Sequence, residues 1–225
     1  QAREAGLAPR FTHLANTPAT LSLGQPGALA DPQTMRGDIV RTGVGLYGVS
    51  PFADRSAQEL GLLPAMTLRT SVANIKRVPS GQGVSYGLSY RTSEATTLAL
   101  IPMGYGDGVP RVATGAPVMI EGRTYPVVGR IAMDQMVVDL RTTEDMSHLL
   151  GAEAVLFGGE GAPSVREWSE AAGTIDYEII TRISPRVQRV HVDTRADLAF
   201  DRVAQERAAH ARANASETGQ GRADD

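Results

Sequence analysis

The sequence predicts a mainly β domain that follows two short βα units of the kind found at one rim of a barrel. From about residue 62, strand-like runs recur with Gly or Pro breaks between them and with little helical periodicity. Before residue 50, Thr17 and Gly43-Val44 each come directly after a strand-like segment. Adjacent βα loops of this kind line the rim at which barrel enzymes hold phosphate groups.

The composition limits the classes of function. The chain has 225 residues, 42% of them hydrophobic, so it can close a real core and a soluble globular protein is expected. A net charge of −3 gives no general attraction for nucleic acid or anionic lipid, and the apolar runs are too short to span a bilayer. The absence of Cys excludes disulfides, thiolate nucleophiles and cysteine metal sites, and it fits a cytosolic protein.

The two βα units occupy the first part of the chain. Residues 1–9 are typical of a helix end, RFTHLAN of a strand, and Asn16 or Thr17 of the cap of a short helix. A second short strand is predicted at 38–41. The start of the chain does not resemble a secretion signal and has no initiator Met, so we expect a fragment or a chain that begins within a domain. The polar, Pro-containing segment 50–62 indicates a domain boundary.

The β-rich part contains several strand-like runs, followed by helical segments. A tight hairpin turn is predicted at Glu121-Gly122. A helix is predicted over 165–172, with Ser164 and Glu167 forming a capping box, and another helical turn over 176–181. Residues 186–192 alternate like a last strand, and we expect a helical stretch from 196 that becomes disordered over 213–225. The strand-like runs lie at 66–78, 96–103, 116–129, 136–140 and 153–158.

Residues 43–48 read GVGLYG and match the G-x-G-x-x-G pattern of dinucleotide-binding loops. That motif requires a helix that opens at its third Gly, whereas Pro51 follows almost at once and no helical pattern continues. The context therefore argues against a dinucleotide site. A plain Gly-rich turn remains open, as does a turn whose amide groups hold one phosphate.

Polar side chains at the two strand ends have alternative interpretations. The Thr17 hydroxyl can bind a phosphate together with neighbouring amides, or it can act as an ordinary helix cap, which this residue alone favours. Arg41 ends the second strand and points either into the barrel mouth or into solvent.

Gly-flanked loops in the β-rich part carry polar side chains whose roles also stay open. Tyr86 and Tyr105 lie between glycines, where a phenol can face a pocket or merely cover a turn. Asp134 follows a strand and can act as a cap. Lys76 is the single lysine of the chain and is expected to face solvent from a strand.

Six segments taken together carry a resemblance to a known family. In order, HLANT, RTGVGLYG, VSYGLSY, GYGDG, GRIAMDQM and DYEIITRISPRV resemble the C-terminal half of the alanine racemase family of fold-type III pyridoxal phosphate enzymes, over about residues 3–193. The resemblance implies that residues 1–55 are the last two βα units of a TIM-type (β/α)8 barrel, here incomplete. It implies a C-terminal β domain over 62–195 and a tail over 196–225.

The resemblance also implies roles for individual residues. The cofactor would be pyridoxal 5'-phosphate, with Arg41 facing its pyridine nitrogen, and Tyr86 would be the acid/base on one face of the substrate Cα. The substrate carboxylate would bind the Met133 N–H, with Asp134 beside it. The phosphate would be held by Thr17, Gly43, Val44 and Tyr177, and the substrate entrance would be lined by Tyr105, Arg111 and Arg130.

The chain departs from the family at several positions. Thr17 stands where Ser is frequent, Ala132 where Cys is common, and Gly106 where Ala is usual. The family's cofactor lysine belongs to the earlier barrel strands, and Lys76 does not correspond to it.

The resemblance therefore predicts a cytoplasmic racemase that interconverts L- and D-alanine for peptidoglycan synthesis as a head-to-tail homodimer, with this chain inactive alone. An alternative is a non-catalytic β module that binds an intact racemase subunit. Related broad-spectrum and serine racemases share the fold, so alanine as substrate rests on the resemblance. No metal, nucleic acid or membrane partner is expected.

Overall fold

The computed structural model describes residues 4–23, 37–159 and 161–192. The chain divides into two units, 1–186 and 187–225, and of the second only 187–192 is described. These six residues form neither helix nor strand, so the prediction of a last strand over 186–192 is wrong. Alternation alone does not make a strand when no neighbouring strand pairs with it. The predicted tail, 196–225, lies outside the described residues.

The first unit is mainly β, as predicted, and its strands are short. Among the described residues there are three α-helices: α1 Thr17–Ser22, α2 Val165–Ala172 and α3 Asp176–Thr181. The strands are β1 Leu68–Ser71, β2 Asn74–Val78, β3 Gly83–Val84, β4 Tyr90–Arg91, β5 Thr96–Ile101, β6 Pro117–Ile120, β7 Arg123–Val128, β8 Met136–Asp139 and β9 Glu153–Phe157.

Seven strands form one antiparallel sheet in the order β1-β9-β6-β7-β8-β5-β2. Its two edge strands are consecutive in the chain, separated only by Val72 and Ala73. Val72 N–H donates to the Ala152 carbonyl (2.9 Å), and Ala73 N–H donates to the Leu100 carbonyl (2.8 Å). The chain thus leaves β9 and joins β5 within two residues, and this corner closes the sheet on itself. The run 66–78 is therefore two strands and not one.

The predicted hairpin turn between β6 and β7 is confirmed. Glu121 and Gly122 both have left-handed backbone, with φ of 47° and 75°. A two-residue turn of this hand matches the twist of the strands that it joins. The single lysine also lies where predicted: Lys76 is exposed in the edge strand β2, opposite Leu98.

Helix α2 covers one part of the sheet. Its predicted capping box is present, because the Ser164 Oγ accepts from Glu167 N–H and a Glu167 carboxylate oxygen accepts from Ser164 N–H. Trp168 is 1% exposed, and its indole N–H donates to the carbonyls of Leu156 (2.6 Å) and Pro117 (3.0 Å). Burial of a tryptophan with its one donor satisfied anchors the helix to β9 and β6.

The N-terminal βα pair is present in a reduced form. Strands do not form over the predicted segments RFTHLAN and 38–41; within the described residues these segments are joined by one parallel bridge, Asn16 with Arg41. Helix α1 begins directly after the bridge, and its cap is Asn16, whose Oδ1 accepts from Ala19 N–H (3.2 Å). After Arg41 comes a 3₁₀ turn, Val44–Tyr47, which ends at Gly48 with φ of 71°. No helix opens at that glycine, so the structural context that a dinucleotide-binding loop requires is missing there, as predicted.

Candidate functional site

Four of the candidate residues lie at the two neighbouring chain segments joined by the Asn16–Arg41 bridge. We call Thr17, Arg41, Gly43 and Val44 the anchoring group. Thr17 is 3% exposed and opens α1. Its Oγ1 accepts from Gly43 N–H at 2.9 Å. The hydroxyl therefore joins the two segments, and it keeps its own proton available for an acceptor.

The anchoring group has donors without acceptors and open space beside them. The Arg41 guanidinium donates to the Leu14 carbonyl (3.2 Å) from an exposed position. Within the described ranges the Val44 N–H has no acceptor, and a Cβ built on Gly43 would meet no atom within 4 Å. The hydroxyl and the amide beside open space make a donor set suited to a phosphate, and the guanidinium is a separate, permanently charged donor.

Tyr177 lies in α3, which is tied to the chain that follows the anchoring group. The adjacent Asp176 is 7% exposed and accepts from the Arg166 guanidinium (3.2 Å). The same guanidinium donates to the carbonyls of Ser50 (3.3 Å) and Ala53 (3.2 Å). This three-way contact fixes the helix that carries Tyr177 against residues 50–53. Sequence reasoning missed Arg166, whose partners are distant in the chain.

The candidate acid/base Tyr86 lies on a loop that we call the tyrosine loop, residues 85–89, between β3 and β4. Tyr86 is 70% exposed, and its hydroxyl has no partner among the residues that the structure describes. The loop backbone is held instead: Ser85 has a φ of 60°, and its Oγ donates to the Arg130 carbonyl. The hydroxyl is thus presented outward from a fixed turn.

Met133 and Asp134 lie on a second turn, residues 131–135, which we call the carboxylate turn. It packs on the Gly104–Gly106 segment, because Tyr105 N–H donates to the Ala132 carbonyl (3.0 Å) and Gly106 N–H donates to the Met133 carbonyl (2.8 Å). Met133 is 53% exposed, and its own N–H has no acceptor in the described part of the chain. That amide is free to bind a carboxylate from outside.

Arg186, which was not identified from the sequence, joins the carboxylate turn to the segment that follows Gly106. The Arg186 guanidinium donates to Asp107 (2.8 Å) and to Asp134. Hydrogen bonds to Asp134 and Asp107 raise the pKa of Arg186 further above its ordinary value. Asp134 therefore engages Arg186 rather than capping its own strand. Residue 106 contributes, since a Cβ there would lie 2.9 Å from the Arg186 Nη1. The glycine leaves room for the guanidinium.

The candidate entrance residues are all at the surface. Tyr105 is 40% exposed, and Arg111 and Arg130 are exposed. The Arg130 guanidinium lies beside the tyrosine loop, 3.4 Å from the position of a Cβ on Gly87. Arg111 lies in the turn that precedes Thr114, whose Oγ1 donates to the Gly129 carbonyl (3.0 Å).

The structure thus brings the candidates together in two groups. The first group is linked through the contacts of the tyrosine loop and the carboxylate turn. It consists of Tyr86, Tyr105, Arg130, Met133 and Asp134. Over residues 4–23, 37–159 and 161–192, no hydrogen bond or ion pair joins that group to the anchoring group. Within the same ranges no cluster of His, Asp or Glu side chains is suited to a metal ion, and no helix is long and apolar enough to cross a membrane.

Comparison with known proteins agrees with this architecture. The family profile described as alanine racemase, C-terminal domain, matches residues 65–191. The alanine racemase of Streptomyces coelicolor is 49% identical over 196 residues, which are 85% of this chain and 47% of that protein. The alanine racemase of Beutenbergia cavernae is 48% identical over 198 residues, covering 87% of this chain and 50% of that protein.

Solved structures show the same relationship. The alanine racemase structure from Streptomyces coelicolor superposes with a TM-score of 0.76 at 48% identity, over 85% of this chain and 48% of that chain. The biosynthetic alanine racemase from Pseudomonas aeruginosa gives a TM-score of 0.72 at 34% identity, over 85% of this chain and 50% of that chain.

A closed antiparallel sheet that follows two parallel segments is thus the architecture of the C-terminal part of these racemases, which are isomerases. This chain belongs to the alanine racemase family, and it spans about half the length of the curated relatives that it matches. The predicted fold class and the predicted family are both confirmed.

Proposed function

We propose that the chain is the C-terminal part of a cytoplasmic, pyridoxal phosphate-dependent alanine racemase, which interconverts L- and D-alanine for peptidoglycan synthesis. The observation that carries the proposal is the presentation of Tyr86: an exposed phenol with no described partner, on a loop whose Ser85 hydroxyl donates to the Arg130 carbonyl. The relatives bear the name alanine racemase, and this chain covers only about half of their length, which supports placing the activity in a longer protein. We assign residues 1–55 to the end of its barrel and 62–195 to its β domain.

The anchoring group fits a phosphorylated cofactor. Thr17 O–H and Val44 N–H would hold the phosphate, together with the Tyr177 phenol, while Gly43 N–H supports the Thr17 hydroxyl from behind. Arg41 would face the pyridine nitrogen as a permanently charged donor. When bound, pyridoxal phosphate supplies the electron sink that makes the substrate Cα proton removable.

The second group of residues would act on the substrate. Tyr86 would take the Cα proton on one face or return it there, and a lysine outside the residues of this chain would serve the other face. The free Met133 N–H would bind the substrate carboxylate. Arg186 would keep Asp134 in place beside it. Tyr105, Arg111 and Arg130 would line the route by which the substrate arrives.

The two groups would meet across a head-to-tail homodimer of the longer protein. In one chain no described hydrogen bond or ion pair joins them, and Tyr86 faces outward. A pocket formed by the anchoring group of one subunit and the tyrosine loop of its partner accounts for both facts.

The proposal is tested by complementation. The 225-residue chain is mixed with a separately produced N-terminal half of a racemase of this family, and D-alanine formation is followed with pyridoxal phosphate present. We expect activity from the mixture and none from this chain alone. A mixture that contains the Tyr86→Phe variant of the chain should form no D-alanine. A folded complex that forms no D-alanine would contradict the proposal.

A further inference from the structure

A partly buried polar contact lies at the C-terminal end of the tyrosine loop. The loop is closed by the pairing of Val84 with Tyr90, the last residue before and the first residue after it. The Tyr90 hydroxyl donates to Asp139 Oδ2 at 2.9 Å. Asp139 is 7% exposed and ends β8. A phenol at the base of the loop is thus joined to a buried carboxylate in the main sheet.

The Asp139 carboxylate is held by several hydrogen bonds. Its Oδ1 accepts from the Thr96 hydroxyl (2.6 Å) and from Arg141 N–H (2.9 Å), so with Tyr90 it receives three hydrogen bonds. Burial and the contact with Asp139 raise the pKa of Tyr90, so that its phenol stays protonated and donates. Charge-assisted bonds in a shielded site are stronger and better oriented than those between neutral groups.

The acid/base side chain itself has no comparable support. Tyr86 is 70% exposed, and its hydroxyl has no described partner. Its position must therefore come from the two ends of the loop. Val84 is packed in a small core cluster with Val78, Leu98 and Val128, and the Tyr90 ring lies against that cluster. The hydrogen bond from the Tyr90 hydroxyl to Asp139 orients the Tyr90 ring, which apolar packing alone would not do.

The same carboxylate links the tyrosine loop to the carboxylate turn. Strand β8 begins at Met136, directly after that turn, and ends at Asp139. The tyrosine loop is thus tied to the carboxylate turn in two ways: by the Ser85 hydroxyl on the Arg130 carbonyl, directly before that turn, and through β8 by the Tyr90–Asp139 hydrogen bond.

We propose that Tyr90 and Asp139 are positioning residues for Tyr86: their partly buried hydrogen bond fixes the C-terminal end of the tyrosine loop relative to the carboxylate turn. The relevance of this to racemisation rests on the proposed function, whereas the physical claim concerns the loop alone. Neither residue touches the substrate.

The loop claim is tested on the full 225-residue chain with 3-fluorotyrosine at its six tyrosines. The ¹⁹F signal of Tyr86 is assigned by its disappearance in Tyr86→Phe. In Tyr90→Phe we expect the Tyr86 signal to shift and broaden, and amide exchange over 84–90 to accelerate about tenfold, because a bond to a charged acceptor is lost. The matched control is Tyr125→Phe, another largely buried tyrosine of the sheet, which should leave both readouts unchanged.

Two results would overturn the inference. One is an unchanged Tyr86 signal and unchanged exchange over 84–90 in Tyr90→Phe. The other is an equal rise of exchange in β5 and β8, which would make the hydroxyl a general support of the sheet. Both can be read whether or not the chain takes part in catalysis.

Whether the hydrogen bond between Tyr90 and Asp139 affects racemisation is then measured by kinetics on the mixture of this chain with the N-terminal half. For Tyr90→Phe we expect kcat to fall about ten- to 100-fold, with KM for alanine changed less than about twofold, as for a displaced catalytic group. An unchanged kcat would overturn the positioning role. If the parent complex forms no D-alanine, the proposed function fails while the fluorine and exchange results still decide the loop claim.

Discussion

A single glycine shows how closely the backbones around the carboxylate turn approach each other. A Cβ on Gly104 would lie 2.2 Å from the Ala132 carbonyl oxygen and 2.5 Å from that of Met133. Its φ of −147° is ordinary extended backbone, so the residue is required by space alone. No rotamer change can relieve a collision with two backbone oxygens.

We therefore expect Gly104→Ala to cost about 3 kcal/mol, because the turn that carries Met133 must move away. The control is Gly61→Ala, where φ is +67° and nothing lies within 4 Å of the added Cβ. Left-handed strain without a clash should cost about 1 kcal/mol there. Urea unfolding of the two variants measures the difference, and equal losses would argue against the close approach.

The Tyr90 hydroxyl gives stability a defined dependence on pH. Its pKa is raised in the folded chain above the ordinary value of 10.0, first through burial and then through Asp139. The folded state therefore holds this proton more tightly than the unfolded state does. The protonated Tyr90 hydroxyl therefore contributes fully to the stability of the folded chain below pH 10.0, the ordinary pKa of tyrosine. This contribution to stability is lost as the pH rises through the raised pKa of Tyr90.

It follows that Tyr90→Phe should be less stable than the parent chain at pH 8, with the difference narrowing above about pH 10. Free energies of unfolding at several pH values give the comparison. The control is Tyr125→Phe. A difference that widens with alkaline pH would be the wrong sign for a raised pKa.

At the scale of elements, the β6–β7 hairpin is stable despite a poor residue at its first turn position. Glu121 adopts φ of 47°, a conformation in which Asn is tolerated better than Glu. We expect Glu121→Asn to stabilise the chain by about 0.5 kcal/mol. Thermal or urea unfolding measures the change, with Glu94→Asn as the exposed control outside any such turn. No gain, or a loss, would mean that the Glu side chain makes a compensating contribution.

Local signals explain which elements the sequence predicts well. The Glu121-Gly122 turn and the Ser164–Glu167 box are formed by neighbours in the chain, so pattern and propensity identify them. The corner at Val72 has no such local signal, because it forms where Val72 binds the residue before β9 and Ala73 binds β5, and both partners are distant in the sequence. Strands β3 and β4 were missed because two-residue strands show no alternation.

The same distinction holds for the candidate site. Gly-flanked loops marked Tyr86 and Tyr105, and the resemblance supplied their roles. Arg186 was not identified, because its partners Asp107 and Asp134 lie 79 and 52 residues away. Separations of that size become visible only when the sheet brings the loops together. Asp139 was likewise hidden as the end of an apolar strand.

At the scale of the whole first unit, Arg166 joins residues 50–53, which precede the sheet, to helix α3, which follows it. Its side chain is 31% exposed, and its guanidinium donates to Asp176 and to two carbonyls of residues 50–53. We expect Arg166→Gln to cost about 2 kcal/mol, since bonds to a largely buried carboxylate are lost.

The local consequence can be measured by proteolysis. Release of residues 50–53 should expose Arg55, so trypsin should cleave there faster in Arg166→Gln than in the parent chain. The control is Arg69→Gln, which removes an exposed pair with Glu153 whose side chains are 64% and 54% exposed. Such pairs contribute little to stability. Equal cleavage in the two variants would contradict the role of Arg166.

The position of Lys76 has a practical consequence. This side chain is the only ε-amine in the sequence, and it projects into solvent from β2. An amine-directed fluorophore would therefore mark one known point of the β domain besides the terminal amine. That point lies on a strand distinct from the tyrosine loop. Distances from such a dye could follow the docking of a complementary half without altering any residue assigned to chemistry.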